Sequence, residues 1–310
     1  MRFGTYFAYW ENEWDADYLQ YCKKVSGLGF DVLEVSGAGI YSMDEEELKE
    51  LRREAERYGL KLTACIGLTK DNDVSSEDEK VRANGTAFVK RLLDHMHIAG
   101  IDRLSGITYS YWPFDYSQKF DKPVMRAYAI QSVREMADYA AQYDIILNLE
   151  VVNRFEHPLL NCAAEAVSFV EEVDRPNVKI LLDTFHMNIE EDTFKDAILC
   201  AGSYLGHVHI GEANRKVPGK GHIAWDEIGE ALCGIGYDEC VVMEPFVKEG
   251  GRVGLDIRVW RDLSDDADEA KLDSDIADSL VFVKKFLETD KDNKCAETFI
   301  IEQIKTKGGK

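Results

Sequence analysis

Residues 145 to 246 contain four short apolar runs, which read IILNLEVV (145 to 152), VKILLDTFH (178 to 186), LGHVHIGE (205 to 212) and ECVVMEPF (239 to 246). Continuous β-branched and apolar runs of this length are typical of buried parallel strands. A longer amphipathic segment separates each run from the next, which indicates repeated βα units. This part of the chain therefore predicts parallel strands covered by helices.

The same alternation extends back to the first residues. Four further runs read RFGTYFA (2 to 8), FDVLEVS (30 to 36), KLTACIG (61 to 67) and RLSGITYS (103 to 110), so eight strands are predicted. One intervening helix is predicted to begin with a capping box at 42 to 45 and to end at Gly59. Eight βα units with right-handed crossovers are best satisfied by a closed sheet, so we predict the α/β class and a single (β/α)8 barrel.

No linker rich in Pro, Gly or Ser interrupts this pattern, so residues 1 to 289 are predicted to form one barrel domain. A tail follows at 290 to 310. Its FII triplet could pack on the barrel or on another subunit, and a partly disordered end is an equal alternative. The sequence leaves that choice open.

Charge, hydropathy and cysteine spacing each exclude one class of partner or site. Lys plus Arg number 37 against 58 Asp plus Glu, for a net charge of −21, so no nucleic-acid partner is expected. No stretch approaches the roughly 18 apolar residues of a membrane span, and the first residues lack the features of a signal peptide. The scattered cysteines include no CxxC pair, which argues against a thiolate zinc site. We expect a cytoplasmic protein.

Ligand-type residues fall near the ends of the last four predicted strands. They are Glu150, Asp183, His209 and Glu244. In a (β/α)8 barrel the carboxyl ends of the strands meet at one rim, where the chemistry of such enzymes is found. Burying a carboxylate in an apolar run costs several kcal/mol unless something compensates its charge. A shared cation would compensate all of these side chains at once.

Three carboxylates and one imidazole suit Mn²⁺, Co²⁺ or Mg²⁺ better than a structural zinc ion. The alternative is that each residue is a separately satisfied polar group, paired with Arg or Lys. Because four consecutive strands place ligand types at the same rim, the shared cation is favoured.

Other candidates surround this set. Polar loop residues that follow the same strands are Arg154, Glu156, His186, Glu212, Asn214 and Arg215. Aromatic residues that could wall a sugar-sized pocket are Tyr6, Trp14, Trp112 and Phe246. His207 has the same strand parity as His209 and is expected to pack in the core or to support the site from behind. The remaining histidines are expected to have no ligand role.

Several motifs resemble the D-tagatose 3-epimerase and D-psicose (D-allulose) 3-epimerase family, whose barrel is xylose-isomerase-like. They are YFAYW (6 to 10), SYWP (110 to 113), LEVVNRFE (149 to 156), LDTFHMNIEE (182 to 191), HVHIGEANR (207 to 215) and VMEPFV (242 to 247). These motifs are long, and the resemblance spans roughly residues 2 to 288.

The resemblance implies a role for each matching residue. One divalent ion per subunit, Mn²⁺ or Co²⁺ with Mg²⁺ as an alternative, would bind Glu150, Asp183, His209 and Glu244. Glu156, His186 and Arg215 would bind the substrate, with Tyr6, Trp14, Trp112 and Phe246 forming the apolar pocket. Ile66 and Ile107 would line its far end and influence substrate choice. A homodimer or homotetramer is also implied.

The implied reaction is epimerisation of a free ketose at C3 through a cis-enediolate, with Glu150 and Glu244 exchanging the roles of base and acid. The substrate pairs are D-fructose/D-psicose, D-tagatose/D-sorbose and L-ribulose/L-xylulose, and the preferred pair stays open. Alternatives are a related aldose–ketose isomerase, an inosose dehydratase and a non-catalytic sugar-binding protein. A zinc endonuclease of related fold is disfavoured by the acidic charge.

Overall fold

The computed structural model describes residues 1 to 288, and its eight strands form a closed parallel barrel. The strands are β1 Arg2–Tyr6, β2 Val32–Ser36, β3 Lys61–Cys65, β4 Arg103–Gly106, β5 Ile146–Val151, β6 Val178–Asp183, β7 Leu205–Ile210 and β8 Cys240–Met243. Each strand pairs with the next, and β8 pairs with β1. The predicted (β/α)8 barrel is confirmed, while the predicted tail at 290 to 310 lies outside the described residues.

Helices connect consecutive strands around the barrel. Their bounds are α1 Tyr18–Gly27, α2 Gly37–Ser42, α3 Glu45–Arg57, α4 Glu79–Ala99, α5 Lys122–Ala140, α6 Ala163–Val173, α7 Thr184–Glu190, α8 Phe194–Ala201, α9 Trp225–Gly234, α10 Gly251–Ile257 and α11 Glu269–Leu287. Their apolar faces pack on the strands, whose residues are almost all buried. No described helix is both long enough and apolar enough to cross a bilayer.

The start of α3 differs from its prediction by two residues. Asp44, not Ser42, is the N-cap, and its side chain accepts hydrogen bonds from the backbone N–H groups of Glu46 and Glu47. The Glu47 carboxylate reaches back to the Asp44 N–H, which completes a capping box. The predicted stop at Gly59 is confirmed by its φ of +68°, since glycine adopts this left-handed conformation without strain.

Most strands end earlier than predicted, and the reasons are local. β4 ends at Gly106, whose φ is +109° and whose missing Cβ would lie 2.3 Å from the Ile66 carbonyl oxygen. β6 ends at Asp183 because this side chain caps α7 by accepting a hydrogen bond from the Phe185 N–H at 2.8 Å. Residues beyond these points therefore belong to the rim.

The last helix, α11, holds segments that lead to the rim. Trp10 Nε1, just after β1, donates to Asp273 at 2.7 Å, and the Tyr9 hydroxyl donates to the Leu272 carbonyl at 3.2 Å. Ser279 Oγ donates to the Pro218 carbonyl in the loop after β7. These bonds tie the loops after β1 and β7 to one rigid element.

Candidate active site

The carboxyl ends of β5 to β8 bring four ligand-type side chains together. Glu150 lies on β5, Asp183 ends β6, His209 lies on β7, and Glu244 directly follows β8. One ligand atom from each lies within 4.8 Å of the others, and all four side chains are buried. His209 Nδ1 lies 3.4 Å from Glu244 Oε1 and 3.9 Å from Glu150 Oε1. The structure therefore places these four predicted residues in one cluster.

The electrostatics of this cluster favour a cation. Burial raises the pKa of Glu150 well above its usual value, and the Glu244 carboxylate adds to the rise. Burial also raises the pKa of Asp183. His209 Nδ1 is buried and has no hydrogen-bond partner within the described chain. Three crowded carboxylates and one free imidazole nitrogen fit a divalent ion, so the four side chains form a buried metal-binding site.

His186 faces the same cluster through its Nε2 nitrogen, and its hydrogen bonds show which ring nitrogen carries the proton. The backbone N–H of Asn153 donates to His186 Nδ1 at 3.2 Å, so Nδ1 is an acceptor and the ring proton lies on Nε2. Nε2 lies 3.7 Å from both Glu150 Oε1 and Asp183 Oδ2. Burial lowers the pKa of His186, which keeps the ring neutral. His186 therefore directs one N–H toward the metal-binding carboxylates.

Arg215 brings a positive charge to the cluster. Its guanidinium lies 3.4 Å from Asp183 Oδ2, 3.4 Å from Glu156 Oε1 and 3.6 Å from Glu244 Oε2. The guanidinium also stacks over the Phe185 ring, with its carbon 3.6 Å from the ring centroid. Burial would raise the pKa of Glu156, but the charge of Arg215, together with hydrogen bonds from Trp112 and Asn153, lowers it. Arg215 and an ionised Glu156 therefore form one edge of the site.

The loop that carries Arg215 is organised by Glu212. The Glu212 carboxylate accepts hydrogen bonds from the backbone N–H groups of Gly219 and Ile223 and from Trp225 Nε1. Arg215 itself has a φ of +63°, which is uncommon for a residue with a side chain. Glu212, a predicted site candidate, therefore shapes the loop and does not join the metal cluster.

Apolar residues wall a cavity above the cluster. Of the predicted pocket residues, Trp14, Trp112, Phe246, Ile66 and Ile107 line it. Tyr6 lies behind them, with its ring centroid 6.4 Å from that of Trp14 and 6.2 Å from that of Phe246. Trp14 Nε1 donates to Asp256 at 2.9 Å and Trp112 Nε1 donates to Glu156 at 3.1 Å. These bonds fix the rings that form the walls.

Some predicted candidates lie apart from the cavity. The exposed Arg154 pairs with Glu190 at 2.7 Å outside the cavity, and the Asn214 amide donates to the Lys220 carbonyl at 3.1 Å. His157, for which no ligand role was expected, is buried against Tyr109 and belongs to no candidate metal cluster among the described residues. Arg154 and Asn214, both candidates from the sequence, therefore hold loop segments together and do not line the cavity.

Sequence reasoning missed three residues near the cluster. Glu34 on β2 is fully buried and lies 2.6 Å from His209 Nε2. Glu34 could have been identified from the sequence, because it interrupts an apolar run as Glu150 does. Asn153 gave no signal beyond being a polar loop residue. Cys65 lies within 4.8 Å of ligand atoms of His209 and Glu244, and no candidate metal cluster in the described chain contains two cysteines.

The fold and the metal-binding site together define the class of protein. A family model for the xylose isomerase-like TIM barrel matches residues 22 to 268. The closed barrel of this chain, with its strands in sequence order, agrees with that family description. The chain is thus a TIM-barrel enzyme of this type.

Comparison with individual proteins shows which enzymes of this class the chain is similar to. The chain is 50% identical over 282 residues to the D-psicose 3-epimerase of Agrobacterium fabrum, covering 91% of this chain and 98% of that protein. It is 48% identical to the D-psicose 3-epimerase of Ruminiclostridium cellulolyticum, covering 94% and 99%. A crystal structure of D-psicose 3-epimerase in the presence of D-fructose matches with a TM-score of 0.92 at 49% identity, covering 93% of this chain and 100% of that one.

The chain belongs to the D-psicose 3-epimerase family within the xylose isomerase-like TIM barrels. It is a ketose 3-epimerase and hence an enzyme of the isomerase class. The resemblance inferred from the sequence motifs is confirmed. The buried cluster of metal-ligand residues agrees with a metal-dependent enzyme of this family.

Proposed function

We propose that this enzyme interconverts free ketohexoses at C3, with D-psicose and D-fructose as its main pair. Relatives that are 48% to 50% identical are named D-psicose 3-epimerases, whereas an L-ribulose 3-epimerase of Methylomonas is 32% identical. D-tagatose/D-sorbose and L-ribulose/L-xylulose are secondary pairs, because a pocket with apolar walls discriminates weakly between sugars of similar size.

The observation that carries this proposal is the presence of two carboxylates, Glu150 and Glu244, in one cavity with an imidazole and a guanidinium. Inversion beside a ketone carbonyl needs a base on one face of C3 and an acid on the other. One carboxylate removes the C3 proton, the C–H electron pair forms the C2–C3 double bond of a cis-enediolate, and the π pair of the C2 carbonyl moves onto O2. The carbonyl is restored when C3 is protonated again. The other carboxyl group returns a proton to the opposite face, which gives the 3-epimer.

Other side chains hold the sugar during this exchange. His186 Nε2–H and the Arg215 guanidinium donate to the oxygens on C1 to C3, where negative charge develops. Glu156 keeps Arg215 in place and accepts from a substrate hydroxyl. The walls formed by Trp14, Trp112 and Phe246, with Tyr6 packed behind them, exclude water from the reacting carbon, while Ile66 and Ile107 contact the far end of the sugar.

Glu150, Asp183, His209 and Glu244 would hold one divalent ion, which we propose to be Mn²⁺ or Co²⁺, with Mg²⁺ as a weaker substitute. When bound, such an ion supplies positive charge that favours the enediolate over the neutral ketose. Carboxylate-rich sites with one imidazole suit these ions.

The deciding experiment measures whether the enzyme exchanges the proton on C3 of the ketose with the solvent. Metal-free enzyme is supplied with Mn²⁺ and each ketose in D2O, and NMR identifies the product and any deuterium at C3. We expect the 3-epimer with deuterium at C3, fastest with D-psicose or D-fructose. An aldose product would favour the isomerase alternative over this proposal. A product that has lost a water molecule would favour the dehydratase alternative.

Variants then test the two carboxylates. Glu150→Gln and Glu244→Gln should lose C3 exchange even where Mn²⁺ binding, measured by calorimetry, persists. Glu190→Gln is a matched control, because Glu190 pairs with Arg154 outside the cavity. Full exchange in either cavity variant would contradict the two-base assignment.

We also propose that the enzyme works in the cytoplasm as a homodimer or homotetramer. Phe155 and Ile189 line one groove near the site, and Leu255 and Trp260 line another. All four are exposed, Trp260 by 69%, and exposed apolar surface of this kind is typical of subunit contacts. Light scattering on the wild type and on Leu255→Glu should show the assembly and its loss, and cell fractionation would check the compartment.

A further inference from the structure

The buried carboxylate of Glu34 contacts His209 on the side that faces away from the metal-binding site. His209 Nε2 lies 2.6 Å from Glu34 Oε1, whereas Nδ1 faces Glu244 and Glu150. Glu34 belongs to β2 and His209 to β7, so this contact crosses the interior of the barrel. Both side chains are fully buried.

Glu34 is itself held on its other oxygen. Thr63 Oγ1 donates to Glu34 Oε2 at 2.7 Å, and the two residues are direct neighbours in the register of β2 and β3. His207 Nε2 lies 3.1 Å from the same oxygen. The carboxylate is therefore fixed between β3 and β7 and presents one oxygen to His209.

We propose that Glu34 is a positioning residue that prepares His209 to bind the metal ion. A neutral imidazole carries one proton, which can lie on either nitrogen. A carboxylate acceptor at Nε2 keeps the proton there, so that the Nδ1 lone pair points at the cluster formed with Glu150, Asp183 and Glu244. This inference rests on the proposed assignment of His209 as a metal ligand.

His209 needs such support more than the other three ligands do. Carboxylate ligands offer equivalent oxygens, whereas an imidazole can present its N–H to the ion and fail to bind. Glu34 also fixes the orientation of the ring, because Nδ1 has no hydrogen-bond partner of its own within the described chain. Partners of this kind behind a metal-bound histidine typically contribute about 10- to 100-fold to metal affinity.

A purely structural role for Glu34 makes a different prediction. If Glu34 only satisfied the polar groups around it, its removal would lower the free energy of unfolding and leave the metal affinity of the folded protein unchanged. Tyr237 provides a control for this outcome, because its buried hydroxyl donates to the Cys240 carbonyl at 2.6 Å at the opposite end of the barrel.

The test measures the dissociation constant of Mn²⁺ for metal-stripped protein by isothermal calorimetry, with thermal unfolding in EDTA recorded in parallel. We expect Glu34→Ala to weaken Mn²⁺ binding by about 10- to 100-fold, and Glu34→Gln, which keeps an acceptor but loses the charge, to weaken it less. Tyr237→Phe should lower the unfolding temperature and leave the dissociation constant unchanged.

The outcomes separate this inference from the proposed function. A wild type that shows no saturable Mn²⁺ binding would overturn the metal assignment itself, whatever the variants do. A wild type that binds Mn²⁺ together with folded Glu34 variants of equal affinity, within about twofold, would overturn the positioning role alone. If Glu34→Ala does not fold, the isosteric Glu34→Gln decides between the two outcomes.

Discussion

Asn153 donates two hydrogen bonds to one atom of His186. Its side-chain amide lies 2.8 Å from His186 Nδ1, and its backbone N–H lies 3.2 Å from the same atom. Because a backbone N–H can only donate, Nδ1 must accept, and the proton of the ring lies on Nε2. This pair of bonds decides which group His186 offers to the cavity.

Removal of the side-chain bond should slow the reaction. Asn153→Leu leaves the backbone donor and removes the amide, so His186 gains freedom to rotate. We expect kcat/KM to fall by about 5- to 150-fold, from a loss of roughly 1 to 3 kcal/mol for a broken buried hydrogen bond. Steady-state kinetics with D-psicose would check it. Asn161→Leu is the control, since the Asn161 amide donates to the backbone carbonyls of Val152 and His157 and does not line the cavity. Equal losses in both variants would argue against the role of Asn153.

Trp112 joins the apolar wall to the polar edge of the site. Its Nε1 donates to Glu156 Oε2 at 3.1 Å, and Glu156 also contacts Arg215. Trp112→Phe keeps an aromatic wall and removes this donor. We expect KM for D-psicose to rise about fivefold, equivalent to roughly 1 kcal/mol, with a smaller change in kcat. Trp260→Phe, at an exposed position outside the cavity, should leave both constants unchanged.

Ile107 should influence the choice between hexoses and pentoses. It lines the cavity, and a pentulose lacks the C6 group that would extend toward the far end. Ile107→Ala should therefore lower kcat/KM for D-psicose more than for L-ribulose, by about tenfold in their ratio, within the range for a lost methylene contact. Val152→Ala removes apolar volume beside Glu150 and should affect both sugars alike. An unchanged ratio in Ile107→Ala would place the selectivity elsewhere.

His157 should make the protein sensitive to acid. Burial, with a smaller contribution from Lys122, lowers the pKa of His157 from its usual value of 6.5 to about 3. The unfolded chain then takes up the proton first, so stability is lost as the pH falls from 6.5 toward 3.

His157→Asn should flatten this dependence, since asparagine can still accept the hydrogen bond that Leu159 N–H donates to His157 Nδ1 at 3.1 Å. Urea unfolding in EDTA at several pH values would compare the two proteins. We expect the wild type to lose a few kcal/mol more than the variant over this interval, at about 1.4 kcal/mol per pH unit. Parallel curves for the two proteins would contradict the prediction.

Local patterns in the chain were sufficient for the architecture. Eight apolar runs separated by amphipathic segments specify eight βα units, and right-handed crossovers leave few ways to arrange them. The same patterns marked Glu150, Asp183, His209 and Glu244, because a charged or ligating residue in a buried strand needs an explanation that its neighbours do not. The ends of strands were less predictable, since Gly106 and Asp183 end them through a backbone conformation and a side-chain cap.

The tertiary structure decided which residues act on one another. Glu34 and His209 are 175 residues apart, and only the closed barrel brings β2 and β7 close enough for a 2.6 Å contact. The role of Asn153 likewise depends on the His186 ring, which α7 brings next to it. Sequence by itself determined the elements and the kinds of side chain at the rim, because hydrophobic periodicity is local. Closure of the barrel determined tautomers, ion pairs and pocket walls, because these depend on contacts between distant strands.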